Sequence, residues 1–138
     1  MKIIRYQDAQ GQVHFAAQRA DGSARVIAGD IYGSYEVTDQ RADVRKLLAP
    51  IEPTAILCIG LNYRRHAAEG NAPIPKWPVL FMKSPGAVQN PGDPVTLPRR
   101  LKSEQVDYEC ELAVVIGKRV TVVLTPFVTA QLDRKSVV

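Results

Sequence analysis

The residues with the most chemistry in them lie in "VDYECELAVVIG", Val106 to Gly117, where Asp107, Glu109 and Glu111 stand at every second position. The Val, Ile and Leu around them read as a strand, and on a strand residues two apart project from one face with Cα atoms about 6.5–7 Å apart. Glu109 and Glu111 therefore point together with Asp107 behind them, while Tyr108, Cys110 and Leu112 face the other way. Two carboxylates brought to about 4 Å in a protein interior repel by about 4 kcal/mol at an effective dielectric of ~20. A fold keeps both ionised only with a cation between them, or else protonates one. Oxygen-only ligation selects a hard ion, Mg²⁺ or Mn²⁺, with Ca²⁺ also admissible. Spacing alone leaves a second reading open, the solvated face of an edge strand. The run "LAVVIG" after Glu111 loses its alternation and reads as buried on both faces.

A second constellation is His66 with Glu69 in "LNYRRHAAEG". Three apart on a helix, they are neighbours on one face. A carboxylate beside an imidazole fixes its tautomer and raises its basicity, as a general base near neutral pH requires. A surface histidine with a helix salt partner has the same spacing. Lys83 ends the apolar run "VLFMK" and is placed either to meet a substrate carboxylate or to end an exposed strand in solvent.

The elements that must position these groups fall into two units. Residues 1–50 read as a small β domain: "KIIRY", a turn at "DAQGQ", then "VHFAAQR", in which Val13, Phe15 and Ala17 alternate with His14, Ala16 and Gln18, the period of a half-buried strand. "ADGS" turns the chain into "ARVIAGD", and "RADVRKLLAP" reads as a short helix stopped by Pro50. "APIEP" is a stiff hinge, since each proline fixes its own φ and restricts the residue before it. The second unit opens with "AILCIG", a continuous apolar run suited to a fully buried strand. It breaks at Gly60 into a helix with Asn62 as N-cap, residues Tyr63 to Glu69 as about two turns, and Gly70 as its stop. "NAPIPKWP" is loop, "VLFMK" a strand, and "SPGAVQNPGDPVTLPRR" an ordered, proline-rich loop. The class is mainly β within α+β.

Composition excludes several functions. The 138 residues, 46% hydrophobic and 23% charged, suit a globular chain with one modest core. No apolar run approaches the roughly 20 residues of a membrane-spanning helix, and the start "MKIIRYQDAQ" lacks the apolar stretch of a secretory signal. Cys58 and Cys110 sit in apolar segments and read as free buried thiols of a reducing, cytoplasmic protein. No Cys or His cluster has zinc spacing. Net charge is +4, with the basic residues scattered apart from Arg64–Arg65 and "PRRLK", and aromatics at 7% are too few for a stacking surface. That argues against nucleic acid as a partner and suits a small anionic substrate.

In order along the chain, "AILCIGLNYRRHAAEG", "PVLFMKSPGAVQNPGDPVTLP" and "VDYECELAVVIGK" resemble the fumarylacetoacetate hydrolase family. The first and third carry several polar positions at the family's spacing, and the small β unit ending in "LLAPIEP" resembles the leading domain of many bacterial members. The resemblance covers roughly residues 1–119. It implies a mixed β-roll, of which residues 54–119 would be the first part, a divalent metal (Mg²⁺ or Mn²⁺) and a homodimer. It also implies hydrolysis, decarboxylation or isomerisation of 2-oxo and β-dicarbonyl acids in aromatic-acid breakdown. The family's glutamate-x-glutamate ligands fall on Glu109 and Glu111, its histidine–glutamate dyad on His66 and Glu69, and its strand-end, substrate-facing lysine on Lys83.

After Lys118 the pattern departs. The family continues to a third acidic ligand within an Asp-x-Ser/Thr-x-Arg-Asp motif, and Asp133 lacks that context. Residues 120–138 read as a divergent tail whose ending, "DRKSVV", is what a sequencing adaptor read in frame would encode. The corresponding expectation is the N-terminal portion of a longer enzyme, with an inactive fragment or a non-catalytic partner-binding module as the alternative.

Overall fold

The computed structural model describes residues 1–100, 102–106 and 111–119. Five antiparallel strands form the first sheet: β1 (Lys2–Gln7), β2 (Val13–Gln18), β3 (Ala24–Gly29), β4 (Tyr35–Arg41) and β5 (Lys46–Leu48), in the order β4-β3-β2-β1-β5. The hairpin turns are built on aspartates, whose short carboxylates bond the backbone two residues on. Asp8 Oδ1 accepts the N–H groups of Gln10 and Gln12 at 2.9 and 2.8 Å, Asp21 Oδ1 that of Ser23 at 2.9 Å, and Asp30 Oδ1 that of Tyr32 at 2.9 Å. At Gly29, φ is +101°, and a Cβ there would lie 2.5 Å from the Ser34 carbonyl, so only glycine closes the third hairpin.

The register places Ile4 opposite Ala16 and Tyr6 opposite His14, gathering Ile4, Tyr6, Ala16 and Ala24 into one buried cluster. Period two in β2 pointed instead to Val13, Phe15 and Ala17. Ala17 is buried on its own face, but Val13 is 47% exposed while Ala16 is wholly buried under the cluster. Both faces of this sheet are partly covered, so alternation alone could not choose between them. The helix expected over residues 41–50 is absent. Those residues finish β4 and then form β5, which pairs with β1 through Tyr6–Leu47 and Arg5–Leu48. The free edge of β1 offers backbone partners that a helix would leave unused.

A two-stranded antiparallel ribbon follows, β6 (Ile56–Gly60) with β7 (Val79–Lys83), joined by α1 (Arg64–Glu69) and a loop. The expected full burial of β6 does not hold: Cys58, a free thiol, is its only buried residue, and Leu57 is 64% exposed. Leu57 and Ile59 share a face with Met82 and Leu80, and the described residues do not cover it. The 84–100 segment is irregular apart from a 3-10 turn at Pro85–Ala87, in keeping with its prolines. No helix among the described residues is long and apolar enough to cross a membrane.

Candidate active site

The site begins where β6 hands over to α1. Gly60 is not the pivot: Leu61 takes the left-handed conformation, φ 51°, which a branched side chain adopts only under constraint. The N-cap is Tyr63, with no side-chain cap, and not Asn62. The Tyr63 carbonyl accepts the Ala67 N–H at 3.1 Å, and Ala67, 1% exposed, is the residue that seats the helix. At the other end Gly70 keeps an ordinary φ of −85°, and Asn71 at φ 49° takes the left-handed place. The N–H groups of Asn71 and Ala72 return to the carbonyls of Ala68 and Ala67 at 3.1 and 2.8 Å, the paired bonds of a Schellman stop. Within this short, doubly fixed helix His66 and Glu69 share one solvent-facing side, as their spacing requires.

Tyr63 does more than begin the helix. Its hydroxyl accepts the backbone N–H of Leu112 at 3.1 Å across 49 residues of chain. That bond ties the segment carrying Glu111 to the N-cap residue of the histidine helix. The sequence reading gave Tyr63 no role; an aromatic hydroxyl three residues before the histidine was the available signal. Glu111 itself is solvent-exposed, and Glu109, with Asp107, lies outside the described residues. The strand expected from Val106 to Gly117 is not formed among the described residues 111–119, which contain only an isolated bridge at Val114. "LAVVIG" is not buried either: Leu112, Val114 and Ile116 are 67%, 45% and 64% exposed. A strand needs a ladder beside it and a layer over it, and the described residues supply neither here.

Lys83 lies elsewhere. It pairs with Ile56, whereas Gly60, from which the chain leaves for α1, pairs with Val79. Lys83 therefore sits at the end of the ribbon opposite Gly60, about 13 Å along the strand at the rise of an extended chain. Its ammonium rests 5.9 Å from the centre of the Phe81 ring. His66 and Glu69 share α1, Glu111 adjoins the residue whose N–H meets the Tyr63 hydroxyl, and Lys83 ends β7.

The donors suit a hard dication in kind, being carboxylate oxygens without sulfur or a second imidazole. In number they are few: the described residues contain no group of three His, Cys, Asp or Glu arranged to hold an ion. Glu111 is the one expected ligand among the described residues, and the Leu112 N–H next to it is bonded to the Tyr63 hydroxyl.

Comparison with known proteins bears on the same residues. A family described as fumarylacetoacetate (FAA) hydrolase, C-terminal, matches residues 55–131, and one described as Rv2993c-like, N-terminal, matches residues 1–50. The chain is 51% identical over 74 residues to a fumarylacetoacetate hydrolase domain-containing protein 2 homolog of Dictyostelium discoideum, covering 54% of this chain and 24% of that one. It is 49% identical over 74 residues to the mitochondrial oxaloacetate tautomerase fahd2 of Xenopus laevis, covering 53% and 23%. The solved structure of an uncharacterised Mycobacterium abscessus protein superposes with a TM-score of 0.57 at 35% identity, over 72% of this chain and 40% of the other. The chain spans about a quarter of the length of these two curated relatives. On the match across residues 55–131, which takes in α1 and the carboxylate segment, the chain belongs to the fumarylacetoacetate hydrolase family.

Proposed function

We propose that this chain carries the general base and part of the metal-binding carboxylates of a divalent-metal-dependent enzyme acting on 2-oxo or β-dicarbonyl acids. The observation that supports this most is the Leu112–Tyr63 hydrogen bond, which holds the Glu111 segment against the start of the His66 helix. Glu109 and Glu111 would hold Mg²⁺ or Mn²⁺. An ion bound there supplies Lewis-acid polarisation to a 2-oxo acid group. The His66 imidazole takes a proton from water or from the carbon beside the carbonyl, and Glu69 on the same helix face would orient the ring. Taken from water, the proton leaves a hydroxide that adds to the far carbonyl, the C–C bond breaks and the proton passes to the departing carbon; taken from carbon and returned to another substrate atom, it gives tautomerisation. The Xenopus relative is named for oxaloacetate, itself a 2-oxo acid, which favours that substrate class. For Lys83 the expected partner is a substrate carboxylate, so Lys83→Met should raise KM with kcat little changed. A homodimer would cover the bare faces of the ribbon.

A second reading is favoured by the exposure of Glu111 and of Leu57, Leu80 and Met82: alone, the chain is catalytically silent and works by joining a partner. Calorimetric titration with Mg²⁺ and Mn²⁺, alongside turnover of oxaloacetate and an acylpyruvate, separates the two. Binding lost in Glu109→Gln and Glu111→Gln, with turnover lost in His66→Ala, supports the enzyme. Binding that survives both glutamine variants removes it.

A further inference from the structure

The segment Asn90–Asp93 reads Asn-Pro-Gly-Asp, with Gly92 at φ +79° and the Asp93 N–H donating to the Asn90 carbonyl at 3.1 Å. Proline second and a positive-φ glycine third make a type II turn. Both end side chains reach back to the first sheet. Asn90 Oδ1 accepts the Ala49 N–H at 2.9 Å, Asn90 Nδ2 donates to Asp93 Oδ2 at 2.9 Å, and the same oxygen accepts Lys46 Nζ at 2.8 Å. Arg5 takes the other backbone group of Ala49, Nη1 donating to its carbonyl at 3.4 Å, and pairs with Glu52. Ala49 is 5% exposed and follows the edge strand β5, and Asn90 Oδ1 supplies the acceptor that its buried N–H needs.

These contacts close a ring. From Ala49 the chain runs through residues 50–55 to Ile56, which pairs with Lys83; from Lys83 it runs through residues 84–89 to Asn90, which grips Ala49. The first arm is stiffened by Pro50 and Pro53. The second is stiffened by successive turns: the Ser84 carbonyl accepts the Ala87 N–H at 2.9 Å, the Pro85 carbonyl accepts that of Val88 at 3.1 Å, and Ser84 Oγ accepts that of Gly86 at 3.2 Å.

We propose that Asn90 is a positioning residue through which the first sheet fixes the Lys83 end of the ribbon. Asn90 touches neither Lys83 nor Ile56, yet its loss opens the ring that holds both. The inference rests on these hydrogen bonds and stands whether or not the enzymatic reading does. Amide hydrogen exchange on the whole chain tests it. In Asn90→Ala the Ala49 amide should exchange about five- to ten-fold faster, the scale of one lost hydrogen bond. The β6 and β7 amides nearest Ile56 and Lys83 should speed up with it, while the β1–β2 ladder keeps its protection. Lys46→Asp and Asp93→Lys should each loosen the Lys83 end, and the two together should restore most of its protection, a rescue that mere loss of stability would not give. Faster exchange at Ala49 with unchanged protection near Lys83 overturns the proposal. So does acceleration spread evenly over β1–β2, or a charge swap that rescues nothing.

Discussion

The first sheet and the ribbon that follows it are written in similar residues and end in opposite states. In the first, Tyr6 is 2% exposed and Ala16 wholly buried, and aspartate-based turns close successive hairpins. In the second, Leu57, Leu80 and Met82, whose register puts them on one face, are each more than 60% exposed. The difference lies in where partners come from. β1 to β4 are joined by five-residue turns to the strands they pair with, and β5 adds to the β1 edge; two strands alone cannot bury an apolar face. Among the described residues nothing covers that apolar face.

That contrast can be broken most directly by truncation. Tyr6→Ala should cost about 3–5 kcal/mol, the range for large aromatic-to-alanine changes in cores, read as an earlier urea midpoint for the first sheet. In the single chain Leu80→Ala should cost less than about 0.5 kcal/mol, as solvent-facing changes do, and more where a second copy covers that face. Equal losses at the two positions would mean that the ribbon face is covered in solution.

Acid sharpens the same comparison. Loss of hydration pushes the Asp8 carboxyl up, but the Gln12 amide, the His14 ring and the Gln10 amide outweigh it and hold the group below the usual aspartate range. Asp93 is held low by the Lys46 ammonium and then by the Asn90 side chain. A carboxyl depressed on folding contributes stability that is present above its unfolded pKa and lost as pH falls through its folded one. The β1–β2 hairpin and the Asn90–Asp93 turn should therefore loosen on acidification below the usual aspartate range. Asp8→Asn should flatten that dependence for the hairpin. A smaller effect is expected at Tyr63→Phe, which removes the acceptor for Leu112: about 1 kcal/mol, read as faster exchange of the Leu112 amide with α1 intact.

Much of this was legible in the residues, and the failures have physical causes. β1, β2, β3 and β7 announce themselves by apolar runs between turn signals. β4 does not, because "YEVTDQR" carries its acids and amides on an exposed edge strand. Val44, Leu47 and Leu48 repeat at helical spacing, yet pairing with β1 makes residues 46–48 a strand; a partner 40 residues away outweighs local period. The short helix that carries His66 and Glu69 was readable, and α1 forms there. Its geometry was less so. Leu61 and Asn71 take left-handed positions beside the glycines that spacing had favoured, and the tie from Tyr63 to Leu112 depends on packing between distant segments.

The central claim is that carboxylates at Glu109 and Glu111 hold a hard dication beside the His66 helix. Mn²⁺ titration followed by nuclear magnetic resonance tests it, because the ion's unpaired electrons broaden signals only nearby. The account predicts early loss of the Leu112 and Tyr63 amide signals and of the His66 ring signals, abolished by Glu109→Gln with Glu111→Gln. Broadening centred instead on the Asp8 or Asp21 turns, or unchanged in that double variant, would contradict it.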